Sequence, residues 1–517
     1  MLAMSFSKVF SAQAILLNAQ IVTIEADLSR GLHAFSIVGL PDKAIEESRD
    51  RVSAAIKNSG FDSPRSKNSK IVISLAPAHL KKEGPALDVG IALAYLLASE
   101  SIDFAPQGKI FLGELALDGT LRPINGILPL VIAAKKKGFC EIFLPAENAR
   151  EAALIDGVGI FGARTLSQII EHINVKRTGQ EAACEKIEEQ PKTELVRSSQ
   201  KKGGLDFSDI RGQETAKRGL LIAAAGGHNI ALFGPAGTGK TMLARAFSGI
   251  LPPLSFDEIL ETTAIHSVAG MIEEDLVTEA PFRAPHHTAS YVSMVGGGAI
   301  PKPGEVTLAH RGVLFLDEFL EFEKRVIESL RQPLEDRVVS ISRARGSARF
   351  PAGFILIAAM NPCPCGNFGS ENKCTCAPRD LIRYQQKISG PIMDRIDMWI
   401  EVPNIDYEKL SAKKVLSDQS AHIRKMVEET RQKQVTRFST QKTNSEMSVS
   451  DIDAHITLTP SLKNILNSSA KHFNLSARGY HRVLKLARTI ADLENSENIE
   501  QPHLLEALQY RQKRVAL

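Results

Sequence analysis

Three stretches of this chain carry groups suited to a phosphate chain and a divalent cation. The run Gly234-Pro235-Ala236-Gly237-Thr238-Gly239-Lys240-Thr241 follows an apolar, β-rich segment, Asn229 to Phe233, and precedes a helix-forming one, Met242 to Phe247. In that context the pattern G-x-x-x-x-G-K-[ST] is a phosphate cradle. Gly234, Gly237 and Gly239 let the backbone turn tightly enough to aim successive N–H groups at one point, and the helix start adds partial positive charge. Lys240 is expected to reach the β- and γ-phosphates of a nucleotide, and the Thr241 hydroxyl to ligate Mg²⁺. The second stretch, Gly312-Val313-Leu314-Phe315-Leu316-Asp317-Glu318, reads as a buried strand with two carboxylates at its carboxyl end, where open α/β sheets bind ligands. Asp317 is expected to hold Mg²⁺, and Glu318 to polarise the attacking water as general base. A third apolar run, Gly353 to Met360, ends at Asn361, whose amide can hydrogen-bond a γ-phosphate or the lytic water.

Further along are arginines and thiols. The loop Ser389 to Asp397 carries Arg395, and the run Asn474 to Tyr480 carries Arg478. A guanidinium can stabilise charge on a transferring phosphoryl group, so both are candidates, with Arg482 close enough to Arg478 to compete. Arg337 to Ser342 and Ser347 to Phe350 flank Arg343-Ala344-Arg345-Gly346, the pattern of a β-hairpin with a basic tip. Of six cysteines, Cys363, Cys365, Cys374 and Cys376 fall within fourteen residues. Two close thiolate pairs can close a tetrahedral, structural Zn²⁺ site, although C-x-C is tighter than the commoner C-x-x-C. Its place just after Asn361 suits a staple for that loop rather than a catalytic metal. Cys140 and Cys184 are isolated and expected to be inert.

The elements that must position these groups belong to more than one core, since 517 residues suggest two to four domains. An apolar fraction of 43% and a charged fraction of 24% are those of an ordinary soluble globular chain. No apolar run approaches the roughly 18 residues that a membrane span needs. The opening Met1 to Val22 has only Lys8 ahead of an apolar run broken by Gln13, Asn18 and Gln20, which suits an alternating strand better than a secretory signal. A cytoplasmic protein is therefore expected. A net charge of +4 is too small to imply nucleic-acid binding by itself. Residues 1–175 alternate strand-like and helical runs and read as one α/β or α+β domain; 176–204 has linker composition; 205–405 holds the phosphate loop and its companion strands; 406–517 is helical. There Val483, Leu486, Ile490 and Leu493 share one helix face, and Pro502 opens a final helix. The segment between Ile250 and Gly312 is longer than a compact core requires.

Two resemblances sharpen this reading. Lys82 to Ala94, with Gly84-Pro85-Ala86, and Gly113 to Gly126 resemble the peptidase domain of Lon-type proteases. The positions of that family's serine nucleophile and lysine base hold Ala86 and Leu128, so the Ser–Lys chemistry is not expected. The phosphate loop, the Leu-Asp-Glu strand, the Asn-ended strand, the Met-Asp-Arg-Ile-Asp loop and the arginine-bearing helices resemble an AAA+ ATPase of the magnesium-chelatase-like branch. Pro281 to Thr288, Gly304 to Gly312 and the tetracysteine stretch narrow the resemblance to the ComM/YifB family over essentially the whole chain. The fold implied is α/β: an AAA+ P-loop core with a C-terminal helical lid, preceded by a Lon-protease-like α+β domain. In that family a Met-Ser-type segment opens the chain, which makes Met4 a candidate start.

The family resemblance implies ATP and Mg²⁺ as ligands and assembly into a homohexamer, in which Arg395 serves a neighbour's nucleotide and Arg478 matches the second sensor. Related rings point such a hairpin into their pore, so Arg343, Arg345 and Arg349 are expected to contact DNA phosphates without sequence preference; the alternative is a solvated hairpin with ordinary surface arginines. The function implied is a DNA motor that drives branch migration of recombination intermediates during natural transformation. The rivals are a chelatase-like ring that remodels a protein partner, an ATP-dependent protease, and a scaffold without ATPase activity.

Overall fold

The computed structural model describes residues 5–15, 18–66, 68–174, 186–193, 205–271, 276–298, 302–343, 346–368, 373–404 and 419–511. Contacts divide the chain into two compact units, residues 1–197 with 260–277, and 198–259 with 278–517.

In the first unit the opening segment, expected to be one strand, is a hairpin. Ser5–Ile15 pairs antiparallel with Asn18–Arg30, because Val9, Val22, Ile24 and Ala26 all turn to one buried face. Ser69–Ala76 joins Asn18–Arg30 antiparallel and Ala34–Val38 joins Ser69–Ala76 in parallel, completing four strands. A parallel three-stranded sheet of Lys109–Phe111, Glu141–Pro145 and Gly159–Ala163 follows. The helix Asp88–Ala98 is buried almost throughout, as its near-continuous apolar sequence demands.

Two departures from the sequence boundaries belong to this unit. Within the stretch read as linker, residues 186–193 lie along the first unit: Gln190 N–H donates to Ile160 O at 2.8 Å, and Ile187 packs against the apolar core. An edge strand with free backbone groups and one apolar anchor suffice to dock it. The region 205–405 is likewise interrupted, for Leu260–Val277 belongs with the first unit. There Leu260, Ala264 and Leu276 pack against a cluster containing Ile127 and Leu130, and Ser267 Oγ accepts from Gly126 N–H at 2.8 Å. The helix Phe256–Ala269 carries the chain from one unit into the other. Periodicity marks such a helix but cannot say which core receives it.

The second unit is built on five strands in the order Phe282–Arg283, Val313–Leu316, Ile355–Met360, Ile230–Phe233 and Met398–Glu401, every neighbouring pair parallel. Ile355–Met360 is wholly buried and Val313–Leu316 equally so, which explains their unbroken apolar runs. The helices Gln419–Phe438, Pro460–His472, Ala477–Leu493 and Gln501–Gln509 complete the unit, with Val483, Leu486, Ile490 and Leu493 all in the core. Thus the mixed α/β core with parallel strands and a helical C-terminal region is present as expected. No helix among the described residues is long and apolar enough to cross a membrane.

Candidate nucleotide and metal sites

Ile230–Phe233 delivers the chain into residues 234–239, and Lys240 begins the helix Lys240–Ser248. Gly237 and Gly239 take φ of +78° and +88°, the left-handed conformations that a tight cradle requires, and no atom lies within 4 Å of where a Cβ on either would stand. The cradle is open. Lys240 folds back under it: Nζ donates to Gly234 O at 2.7 Å, Pro235 O at 2.6 Å and Asn361 Oδ1 at 3.1 Å. Burial pushes the Lys240 ammonium down to about 8, against the opposing pull of Asp317. Beside it Thr241 Oγ1 donates to Asp317 Oδ2 at 2.7 Å. A buried ammonium with only neutral acceptors, an open cradle and a hydroxyl–carboxylate pair form the donor set that fits a nucleotide's phosphates and a hard divalent cation.

Parallel register explains how Asn361, Asp317 and Lys240 meet. Leu316 stands opposite Ala358, and Phe233 opposite Met360, so three strands end at one edge. The same register brings in a residue that sequence reasoning did not assign. Arg283 stands opposite Leu314; His287 lies four residues beyond the one and Glu318 four beyond the other. His287 Nδ1 is 3.0 Å from Glu318 Oε2. Glu318 itself has φ +51°, with its N–H on Asp317 Oδ1 at 2.9 Å. The adjacent His286-His287 pair was the available signal, legible only once its strand was known to flank Val313–Leu316.

The two candidate arginines are brought together elsewhere. Arg395 donates from Nη1 to Pro391 O at 2.6 Å and from Nη2 to Glu335, and Arg478 donates from Nη2 to the other oxygen of Glu335 at 2.6 Å. Glu335, in the helix Arg331–Asp336, was not singled out from sequence and had no motif to mark it. Arg482 is engaged with Ile396 O and, at 3.6 Å, with Asp394.

The four cysteines converge. All four sulfurs lie within 4.8 Å of one another, with Cys363–Cys365 at 3.3 Å, Cys365–Cys374 at 3.6 Å and Cys374–Cys363 at 3.8 Å. A tetrahedral ion with Zn–S bonds of about 2.3 Å holds its sulfurs about 3.8 Å apart, so the spacing fits. Backbone N–H groups of Asn367 and Thr375 bring the Cys365 thiol down to about 6.

Val338–Arg343 and Gly346–Pro351 form the expected antiparallel hairpin. Val339, Ile341, Ala348 and Phe350 are buried, while Arg349 and Ser340, opposite each other, are exposed. Arg343 pairs with Gly346 through the backbone, and Arg345 lies outside the described residues. In the first unit Ala86 and the fully buried Leu128 belong to one apolar cluster, where the Lon resemblance would place a nucleophile and a base.

Comparison with known proteins agrees in full length. The family model for magnesium chelatase subunit ChlI matches residues 206–410, a further ChlI model matches 24–148, and the ChlI C-terminal model matches 417–511. Competence protein ComM of Haemophilus influenzae is 42% identical, with 98% of each chain covered. YifB of Escherichia coli is 42% identical over 98% of this chain and 97% of its own. The magnesium-chelatase 67 kDa subunit of Chlorobaculum parvum is 26% identical over 30% of this chain and 23% of its own. These full-length matches place the chain in the ComM/YifB family of magnesium-chelatase-like AAA+ proteins.

Proposed function

We propose that the protein is an ATP-hydrolysing motor that works on DNA as a homohexameric ring, migrating branched recombination intermediates. The observation that supports it best is the division of the site: Lys240 is hydrogen-bonded to Asn361 and the adjacent Thr241 to Asp317, while Arg395 and Arg478 are gathered on Glu335. The first group can bind a nucleotide within one chain; the second can serve a site on a neighbouring chain. Similarity to the competence protein of Haemophilus influenzae supports DNA as the substrate.

In this reading the backbone N–H groups of residues 234–241 and the Lys240 ammonium bind the phosphates of ATP. Thr241 and Asp317 hold Mg²⁺, which supplies charge neutralisation at those phosphates when bound. Glu318 orients a water and takes its proton, after its oxygen has left His287. Asn361 hydrogen-bonds the γ-phosphate or that water. Arg395 from the adjoining subunit stabilises the charge of the transferring phosphoryl group. Zn²⁺ at the four cysteines is structural. Arg349, with Arg343 and Arg345, contacts DNA phosphates, so Arg349→Ala should lower DNA affinity evenly across sequences and reduce the salt slope by about 1. The apolar pair Ala86 and Leu128 gives no Ser–Lys chemistry, and casein should remain uncut.

The test is strand exchange on a three-strand or four-way junction with Mg²⁺ and ATP. Wild type should yield product and Lys240→Ala none; equal yields sink the motor reading. The chelatase likeness favours a second reading, a ring that remodels a protein partner. ATP turnover stimulated by DNA supports the first reading, and turnover indifferent to single-stranded, duplex and branched DNA supports the second.

A further inference from the structure

The thiol cluster and the phosphate loop share one short run of backbone. From Met360 to Gly366 the chain runs beside the loop and touches it three times. Met360 O accepts from Gly234 N–H at 3.3 Å, and Asn361 Oδ1 accepts from Lys240 Nζ at 3.1 Å. Gly366 then faces Ala236 so closely that a Cβ on residue 366 would stand 3.2 Å from the Ala236 Cβ and 3.6 Å from its nitrogen. Gly366 has φ +79° and its N–H on Cys363 O at 3.0 Å, so the thiol-bearing turn and the contact with Ala236 are one piece of structure.

Cys363 and Cys365 lie inside this run. Cys363 is fully buried and its Sγ accepts from Phe368 N–H at 3.3 Å. Cys374 and Cys376 come from the stretch that leads into the helix Pro378–Gln385. An ion bonded to all four sulfurs would therefore fasten the 360–366 run to a second element and hold it on the phosphate loop. Among the contacts described, the sulfurs otherwise meet only through weak thiol hydrogen bonds of 3.3 to 3.8 Å.

We propose that Zn²⁺ at Cys363, Cys365, Cys374 and Cys376 and nucleotide at residues 234–241 are thermodynamically linked. The metal holds Asn361 against Lys240 and Gly366 against Ala236, and so raises nucleotide affinity. Linkage is reciprocal, so bound nucleotide raises Zn²⁺ affinity by the same factor. Couplings between sites typically fall at roughly 5- to 150-fold, and contact through one short backbone run predicts about tenfold. The proposal rests on the reading of residues 234–241 as a nucleotide site.

The experiment uses the full chain and the non-hydrolysable analogue adenosine 5′-(β,γ-imido)triphosphate with Mg²⁺. Calorimetric titration compares the Zn²⁺-loaded protein, the same protein stripped by a chelator, and the stripped protein resupplied with Zn²⁺. Stripping should weaken analogue binding about tenfold, and resupply should restore it. Because stripping can also unfold the chain, the reciprocal measurement keeps the metal in place: competition for Zn²⁺ with a chromophoric chelator should become harder by the same factor when the analogue is present. Gly366→Ala should weaken the analogue while the protein still binds one Zn²⁺. Equal analogue affinity with and without Zn²⁺, or a chelator competition that ignores the analogue, overturns the linkage and leaves the nucleotide reading intact. A protein that takes up no Zn²⁺ overturns it as well. A Zn²⁺-loaded protein that binds no analogue overturns linkage and nucleotide reading together.

Discussion

The phosphate end and the arginine end of the second unit are built on opposite terms. At the phosphate end, Lys240 is buried, reaches only neutral acceptors and has its ammonium lowered to about 8. At the arginine end, Arg395 and Arg478 are already paired with a carboxylate, Glu335, which is itself half exposed. One end holds a charge with no carboxylate bonded to it, and the other holds charges that have one. A phosphate arriving at Lys240 therefore has only neutral acceptors to replace, whereas a phosphate meeting the arginines must compete with the Glu335 carboxylate.

The largest expected effect isolates the arginine end. Arg395→Ala should lower ATP turnover by about 10³-fold or more, the scale of a lost arginine finger, with analogue binding kept. Mixing it with inactive Lys240→Ala should restore activity at interfaces that join an intact Lys240 to an intact Arg395. If nothing returns in a turnover assay of the mixture, Arg395 does not act across an interface.

Next, Glu318→Gln should cost about 10² to 10⁴ in turnover while binding persists, as the loss of a general base does. Steady-state kinetics beside calorimetry would separate the two. A loss of binding instead would place Glu318 among the ligands of the phosphates.

A smaller effect tests the difference in charge state. Lys240 is depressed, so below about 8 the free protein carries the ammonium, and above it the charge is lost and must be regained from solvent on binding. Analogue affinity should be flat below that point and fall towards tenfold per pH unit above it, in titrations run from pH 6.5 to 9.5. Guanidinium groups stay charged over this range, so Lys240→Arg should bind with a flat profile. A flat wild-type profile would mean that Lys240 is not depressed.

The smallest effect concerns Glu335. An exposed ion pair is worth up to about 1 kcal/mol, so Glu335→Gln should free the arginines and raise turnover by no more than about fivefold. A drop in turnover would show that Glu335 positions the arginines rather than competes for them.

The contrast between the two ends is also a contrast in legibility. The phosphate loop could be read because its chemistry is local: strand, glycines, lysine and hydroxyl are consecutive, and backbone geometry alone makes them a cradle. Asp317 and Asn361 followed because each ends an unbroken apolar run, and parallel strands put such ends together. The four cysteines were legible from type and spacing. His287 was not, because its partner Glu318 is reached only through the pairing of Phe282–Arg283 with Val313–Leu316. Glu335 was not, because nothing in a short amphipathic helix marks which carboxylate two distant arginines will share.

Composition, turn residues and hydrophobic period thus determined that this chain has an α/β core with a phosphate loop, a thiol quartet and a helical C-terminal region. These are properties of residues within a few positions of one another. Tertiary structure alone decided that Leu260–Val277 joins the first unit, that Arg395 and Arg478 meet on Glu335, and that Gly366 rests on Ala236. Each of those depends on contacts between segments distant in the chain, where sheet order and packing, rather than local pattern, determine which side chains touch.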